Sequence, residues 1–261
     1  ADNKAFLAVI LSLLQKQEVY KKSFEIIFSV KEETGGGIEF FPFSWLKSKW
    51  GIIFDNANPV GGIVLRSPFI INFCIIFFGK ATHSSTPQKG KNSLLAAIDF
   101  LKKINLGFSN KKQTVINVGL FQSGTSINTI PEITHLKGEI RSYQKTLFEK
   151  NLKNIKEKAY FFAKKYKLKA QFKTDGFCQG YQLEKNDPLI KMVKQKIKQV
   201  GLKPKFYYYS GVSDANILNS KGIKTVVLSD GVKNPHTTQE KISLASLEKI
   251  EEILEKILNN D

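Results

Sequence analysis

The chain has 261 residues, 42% of them hydrophobic and 24% charged, a globular composition that excludes a disordered polymer and leaves room for two modest cores. Its formal net charge is +17, but the basic residues are almost all Lys, with Arg only at Arg66 and Arg141. No aromatic-interleaved basic stripe accompanies them, so the excess reads as composition bias and not as a nucleic-acid footprint. Cys74 and Cys178 stand far apart, which argues against a disulfide scaffold and fits a reducing cytoplasm. The apolar runs at 6–14 and 69–78 are too short to span a bilayer, so no membrane partner is expected.

In chain order, residues 4–16 predict a buried helix, because their apolar positions are nearly continuous. Residues 24–30 are β-prone and mainly apolar, as expected of a parallel strand covered on both faces. Strands follow at 51–54 and 62–66. Between 70 and 177 the rhythm becomes strand 70–78, helix 91–104, strands 114–121 and 132–142, helix 145–166 and strand 169–177. That β-α-β-β-α-β order is ferredoxin-like. Then Asp187-Pro188 opens a helix, and strand 205–209, helix 213–220, strand 225–228 and helix 244–258 resume an α/β alternation with a largely parallel sheet. Residues 1–67 and 178–261 therefore form one domain, interrupted by an inserted domain at 68–177.

Several ionisable residues sit where strands of the first domain should end, which is where open α/β sheets place ligand-handling groups. Glu32-Glu33 follows 24–30, Asp55 follows 51–54, and His236 lies in the loop after 225–228. With Asp2, three carboxylates and an imidazole form a donor set suited to zinc, manganese or cobalt. Glu32 is left over as a candidate base, completing the parts of a metal-assisted hydrolase.

The wording of these segments is that of a known family. Asp2-Asn3-Lys4-Ala5, Glu32-Glu33-Thr34-Gly35 and Phe54-Asp55-Asn56-Ala57-Asn58-Pro59-Val60-Gly61 resemble successive motifs of the co-catalytic zinc peptidases, which include glutamate carboxypeptidase, aminoacylase and peptidase T. Gly79-Lys80-Ala81-Thr82-His83, Gly124-Thr125-Ser126-Ile127-Asn128-Thr129-Ile130-Pro131, Gly138-Glu139-Ile140-Arg141-Ser142 and Gly211-Val212-Ser213-Asp214-Ala215-Asn216 continue the likeness in the right order. It is strongest to the peptidase T-like branch.

The resemblance implies hydrolysis of short peptides with two divalent metal ions, zinc first among them. Asp2 would bridge the metals, Glu33 and His236 would complete one site, Asp55 would belong to the other, and Glu32 would be the general base. His83, Asn128 and Arg141 would bind substrate from the inserted domain, which would also be the lid and the homodimer interface. For Ser213, Asp214 and Asn216 a helix cap and turn is the preferred reading. In the family a His-x-Asp motif upstream of the Asp2 motif supplies a further ligand, and this chain opens inside the Asp2 motif. It is therefore expected to be the later two-thirds of a family member with impaired activity. The alternative is a non-catalytic remnant that dimerises or binds peptides.

Overall fold

The computed structural model describes residues 3–16, 20–34, 37–109 and 113–259, so Asp2 lies outside the described residues. In chain order the elements are α1 (Lys4–Gln15), β1 (Trp50–Phe54), β2 (Gly62–Ser67), β3 (Phe69–Phe78), α2 (Ser93–Lys103), β4 (Gly107–Ser109), β5 (Thr114–Ser123), β6 (Ile133–Ser142), α3 (Lys145–Lys165), β7 (Lys169–Cys178), β8 (Tyr181–Gln182), α4 (Pro188–Gln199), β9 (Lys205–Tyr208), α5 (Asp214–Ser220), β10 (Lys224–Leu228) and α6 (Leu244–Leu258). They divide into two compact units, Ala1–Ser67 with Tyr181–Asp261, and Pro68–Gly180. The return crossing falls after Gly180, because β7 carries the second unit's sheet as far as Cys178.

In the first unit the strand order is β1-β10-β2-β8, with β9 also beside β2. The β1–β10 and β2–β9 ladders are parallel, while β10–β2 and β2–β8 are antiparallel. The α/β class holds, and the parallel character is shared with an antiparallel half. Alternate side chains of each strand go to opposite faces. Ile63, Leu65, Val226 and Leu228 join Val9, Leu13, Ile190, Val193, Ile250 and Ile253 from α1, α4 and α6 in the main core. Val64 and Val227 face the other way, against Ala215 of α5.

Two expectations for this unit are corrected. Residues 24–30 join no ladder, although they read as a covered strand. Phe28 and Val30 are largely exposed there, and the sheet offers this run no paired neighbour among the described residues. The helix at 4–16 forms, but only a stripe of Ala5, Val9 and Leu13 is buried. Leu7, Leu11 and Leu14 remain exposed, because none of the described residues covers that flank of α1.

The second unit is an antiparallel sheet of order β4-β5-β6-β3-β7, the ferredoxin-like arrangement plus the short edge strand β4. Ile71, Phe73, Ile75 and Phe77 of β3 alternate inward with Phe100 of α2 and Ile155 of α3. The side chain of Asn92 accepts from the backbone N–H groups of Leu94 and Leu95 and starts α2. His135 sits within β6, beside Ile76 and Gln122, a place in the sheet and not a site.

Candidate active site

Glu32 and Glu33 occupy a short 3-10 turn at Glu32–Thr34, directly after Lys31, whose φ is 58°. Across the unit, the loop after β10 holds Asn234 at φ 53° and His236 at φ 60°. A non-glycine residue in this left-handed region is strained, by about 1–3 kcal/mol, and such residues cluster at functional sites. The backbone N–H of His236 donates to Glu240 Oε2 at 3.1 Å, which fixes the turn.

These two strained turns bring His236 Nδ1 within 3.6 Å of Glu33 Oε2, both side chains being well exposed. That spacing is too long for a good hydrogen bond. It is close to the roughly 3.3–3.4 Å between two donors of one tetrahedral ion bound at about 2.0–2.1 Å. The pair thus has the donor types and spacing for two positions of a metal site. Among the described residues no group of three His, Cys, Asp or Glu completes such a site.

Asp55 follows β1 directly, and its N–H donates to Leu228 O at 3.2 Å, extending the β1–β10 ladder by one rung. Asp55 lines a cavity of about 630 Å³ that Glu32, Glu33 and Asp214 also line. Asp2 cannot be placed, but the next residue can. The Asn3 side-chain amide donates to Phe54 O at 2.5 Å, so the chain just past Asp2 is tied to the residue just before Asp55.

Asp214 belongs to this wall although a structural role was preferred for its motif. Ser213 caps α5 and Asn216 returns the bond, a complete capping box. Those two residues take the structural role and leave Asp214 to the cavity. Burial pushes its carboxyl above the ordinary value, against a lowering hydrogen bond from Ser29. Its position immediately after an N-cap was the available signal. Nearby, burial raises the Tyr181 hydroxyl, helped by the Asp55 and Tyr209 charges.

The substrate-binding candidates of the second unit do not converge within one chain. Ser85 N–H donates to His83 Nδ1 at 3.2 Å, which makes Nδ1 an acceptor and leaves the proton of a neutral ring on Nε2. Asn128 is close by, for its carbonyl accepts from Ser84 N–H at 2.9 Å. Arg141 instead lies at the opposite end of β6. Thr129, bridged to His83, precedes the start of that strand, whereas Arg141 is eight residues beyond Ile133, or roughly 25 Å along it. Arg141 also makes a bidentate pair with Glu139, at 2.9 Å for both bonds.

Residues 69–167 match the peptidase dimerisation domain of the M20 type. The chain is 27% identical over 263 positions to the uncharacterized protein YqjE of Bacillus subtilis strain 168, covering 99% of this chain and 71% of that one. It is 29% identical to Peptidase T of Haemophilus influenzae strain PittGG, covering 99% of this chain and 64% of the relative. Among solved structures, aminopeptidase PepT from Bacillus cereus superposes with a TM-score of 0.90 at 28% identity, covering 98% of this chain and 68% of that one. The chain thus spans somewhat under two-thirds of the peptidase T length. Its motifs, its fold and these likenesses together make the chain similar to the peptidase T-like M20 peptidases.

Proposed function

We propose that the chain carries most of a metal-dependent exopeptidase acting on short peptides, of the tripeptide aminopeptidase kind. The observation behind this reading is the Glu33–His236 pair at ligand-like spacing, on the same side of the unit as a cavity lined by Glu32, Asp55 and Asp214. Asp2, Glu33 and His236 would hold one divalent ion, and Asp2 with Asp55 would hold part of a second. Oxygen and imidazole donors suit zinc, with manganese or cobalt as substitutes. When bound, such ions polarise a water and the scissile carbonyl. Glu32 would serve as the general base toward the attacking water and as the proton donor to the leaving amine. His83, with its proton on Nε2, serves as a donor to a peptide carbonyl, and Asn128 orients the backbone beside it. Arg141, paired with Glu139 through Nε and one terminal nitrogen, would clamp a peptide carboxylate. Homodimerisation through the second unit, without nucleic acid or membrane, completes the reading. A cytoplasmic setting fits Cys74 and Cys178, neither of which is in a disulfide.

The second reading is a non-catalytic dimerising or peptide-binding module, for which the dimerisation-domain match at residues 69–167 speaks. One experiment separates them. The chain is fused to the portion of Haemophilus influenzae Peptidase T that has no counterpart here, loaded with zinc, and assayed on tripeptides. Turnover that falls by about a hundredfold or more in Glu32→Gln supports catalysis with Glu32 as base. Metal-independent peptide binding without turnover supports the module instead.

A further inference from the structure

We propose that Asn56 is a positioning residue. Its side-chain oxygen locks the loop that carries Asp55 to the loop that carries His236, and so holds those two groups in one fixed relation. The consequence for function rests on the proposed metal reading, but the lock itself is read without metal, so either can fail alone.

The two loops start side by side. Strands β1 and β10 are parallel neighbours, so their chains leave the sheet at the same end. Asp55 N–H donates to Leu228 O at 3.2 Å, and past that rung the loops remain zipped together. Ser229 N–H donates to Gly62 O at 3.0 Å, Asp230 N–H to Asn56 O at 3.1 Å and Gly231 N–H to Asn58 O at 3.0 Å.

Asn56 stands at the centre of this zipper. It is only 5% exposed, and Ser229 is fully buried. Asn56 Oδ1 accepts from Ser229 Oγ at 2.9 Å and from Asn58 Nδ2 at 2.7 Å. The first bond joins the two loops across 173 positions of sequence, and the second folds the Asp55 loop back on itself. Removing the oxygen strands a buried hydroxyl donor on the other loop, which is costly where water cannot replace the acceptor.

From Ser229 the fixed contacts run on to His236. The Asp230 carboxylate, itself 3% exposed, accepts from Val232 N–H at 2.8 Å. A Cβ on Gly231 would lie 3.1 Å from Val60 Cγ2, so the loops touch there as well. Lys233 and Lys241 then exchange backbone bonds at 2.8 and 3.1 Å and close a loop with His236 inside it, where the His236 N–H is held by Glu240. The exposed His236 side chain gains little restraint from packing, so its place is set by the base of its loop. Groups that share metal ions must be held to about half an ångström, and Asn56 ties that base to the residue beside Asp55.

The test follows residue-level hydrogen exchange of the 261-residue chain in chelator, for the parent, Asn56→Ala, Ser229→Ala and the double variant. Asn56→Ala should speed exchange at least about tenfold at Asp230 and Gly231, and equally at Lys233, His236 and Lys241, which Asn56 does not touch. The double variant should add little to Asn56→Ala, because Asn56 and Ser229 act through one bond. Zinc affinity of the same proteins should fall at least about tenfold in Asn56→Ala under conditions where urea curves show the chain still folded, so that loss of folded protein does not account for it. Acceleration confined to Asp230 and Gly231 overturns the proposal, because the amide then only fills its own corner. Unchanged zinc affinity in a variant whose loops have loosened overturns it too. Should Asn56→Ala unfold, Ser229→Ala carries the same comparison. A lock seen by exchange in a parent that binds no zinc leaves the positioning inference standing and counts against the proposed metal site.

Discussion

The bond from the Asn3 amide to Phe54 O, at 2.5 Å, offers a sharp quantitative test. Phe54 is fully buried, and its carbonyl faces away from β10, so Asn3→Ala leaves that acceptor without its side-chain donor. A lost net hydrogen bond costs about 0.5–1.5 kcal/mol, and a stranded buried acceptor about 1–3 kcal/mol. Water entering the open side of β1 recovers part of this, which sets the expectation at about 1–2 kcal/mol. For a unit of this size that is a fall in Tm of about 2–8 °C. Asn3→Asp keeps the size but turns a donor into an acceptor beside a carbonyl oxygen, so it should cost at least as much. Urea denaturation followed by circular dichroism measures both, and an unchanged slope with a shifted midpoint identifies a pure stability effect. Parent-like stability in both variants would refute the reasoning, since the tie would then contribute nothing.

Other outcomes follow from the same geometry. Glu33 and His236 are both exposed, so Glu33→Gln and His236→Ala should change stability in chelator by no more than about 0.5 kcal/mol, while each lowers zinc affinity more than about tenfold by calorimetric titration. Gly62→Ala places a Cβ 2.1 Å from Ser229 Oγ and 2.8 Å from a Tyr207 ring carbon; overpacking there should cost about 1–3 kcal/mol in urea. Burial raises the Asp214 carboxyl, so the folded state holds that proton more tightly than the unfolded chain, and stability is lost as pH rises from the ordinary carboxylate value through the raised one. Asp214→Asn should therefore exceed the parent in urea midpoint at neutral pH and match it in acid below the ordinary value.

Periodicity made most elements legible. The run Phe69–Phe78 is apolar almost throughout, yet its flanking turns and length mark a strand, and the structure sorts it by alternation into buried and outward residues. Of the helices of the second unit, α2 has a side-chain cap at Asn92, whereas α3 has none and is marked by its apolar spacing. Residues 24–30 misled because β propensity states how well a side chain suits a pleated, half-buried surface, and it cannot state whether a neighbour exists. The same limit applies to α1, whose apolar flank is not covered by any of the described residues. At the site, strand-end placement holds for Asp55 and for the loop after β10 that carries His236, whereas Glu32 and Glu33 follow a run that joins no ladder; the structure brings Glu33 within 3.6 Å of His236. Arg141 was harder. Its rarity among lysines drew notice, but only the strand register reveals its distance from His83 and its pairing with Glu139. Asp214 was hidden inside a motif whose neighbours had a sufficient structural reason to be there.

The position of the second unit in the chain bears on the order in which the protein folds. Ser67 and Tyr181 are register partners in the β2–β8 ladder, although the whole of the second unit lies between them in sequence. Closing a flexible loop of about 110 residues costs about 4 kcal/mol of chain entropy on logarithmic scaling. That penalty is largely removed once the inserted unit has folded, because a Cβ built on Gly180 would lie 2.6 Å from the Phe69 nitrogen, which puts the two ends of the insertion side by side. The contiguous unit should therefore form first and act as a staple for the discontinuous one. Circular permutation that opens the insertion between β4 and β5 should slow formation of the first unit more than it lowers its final stability.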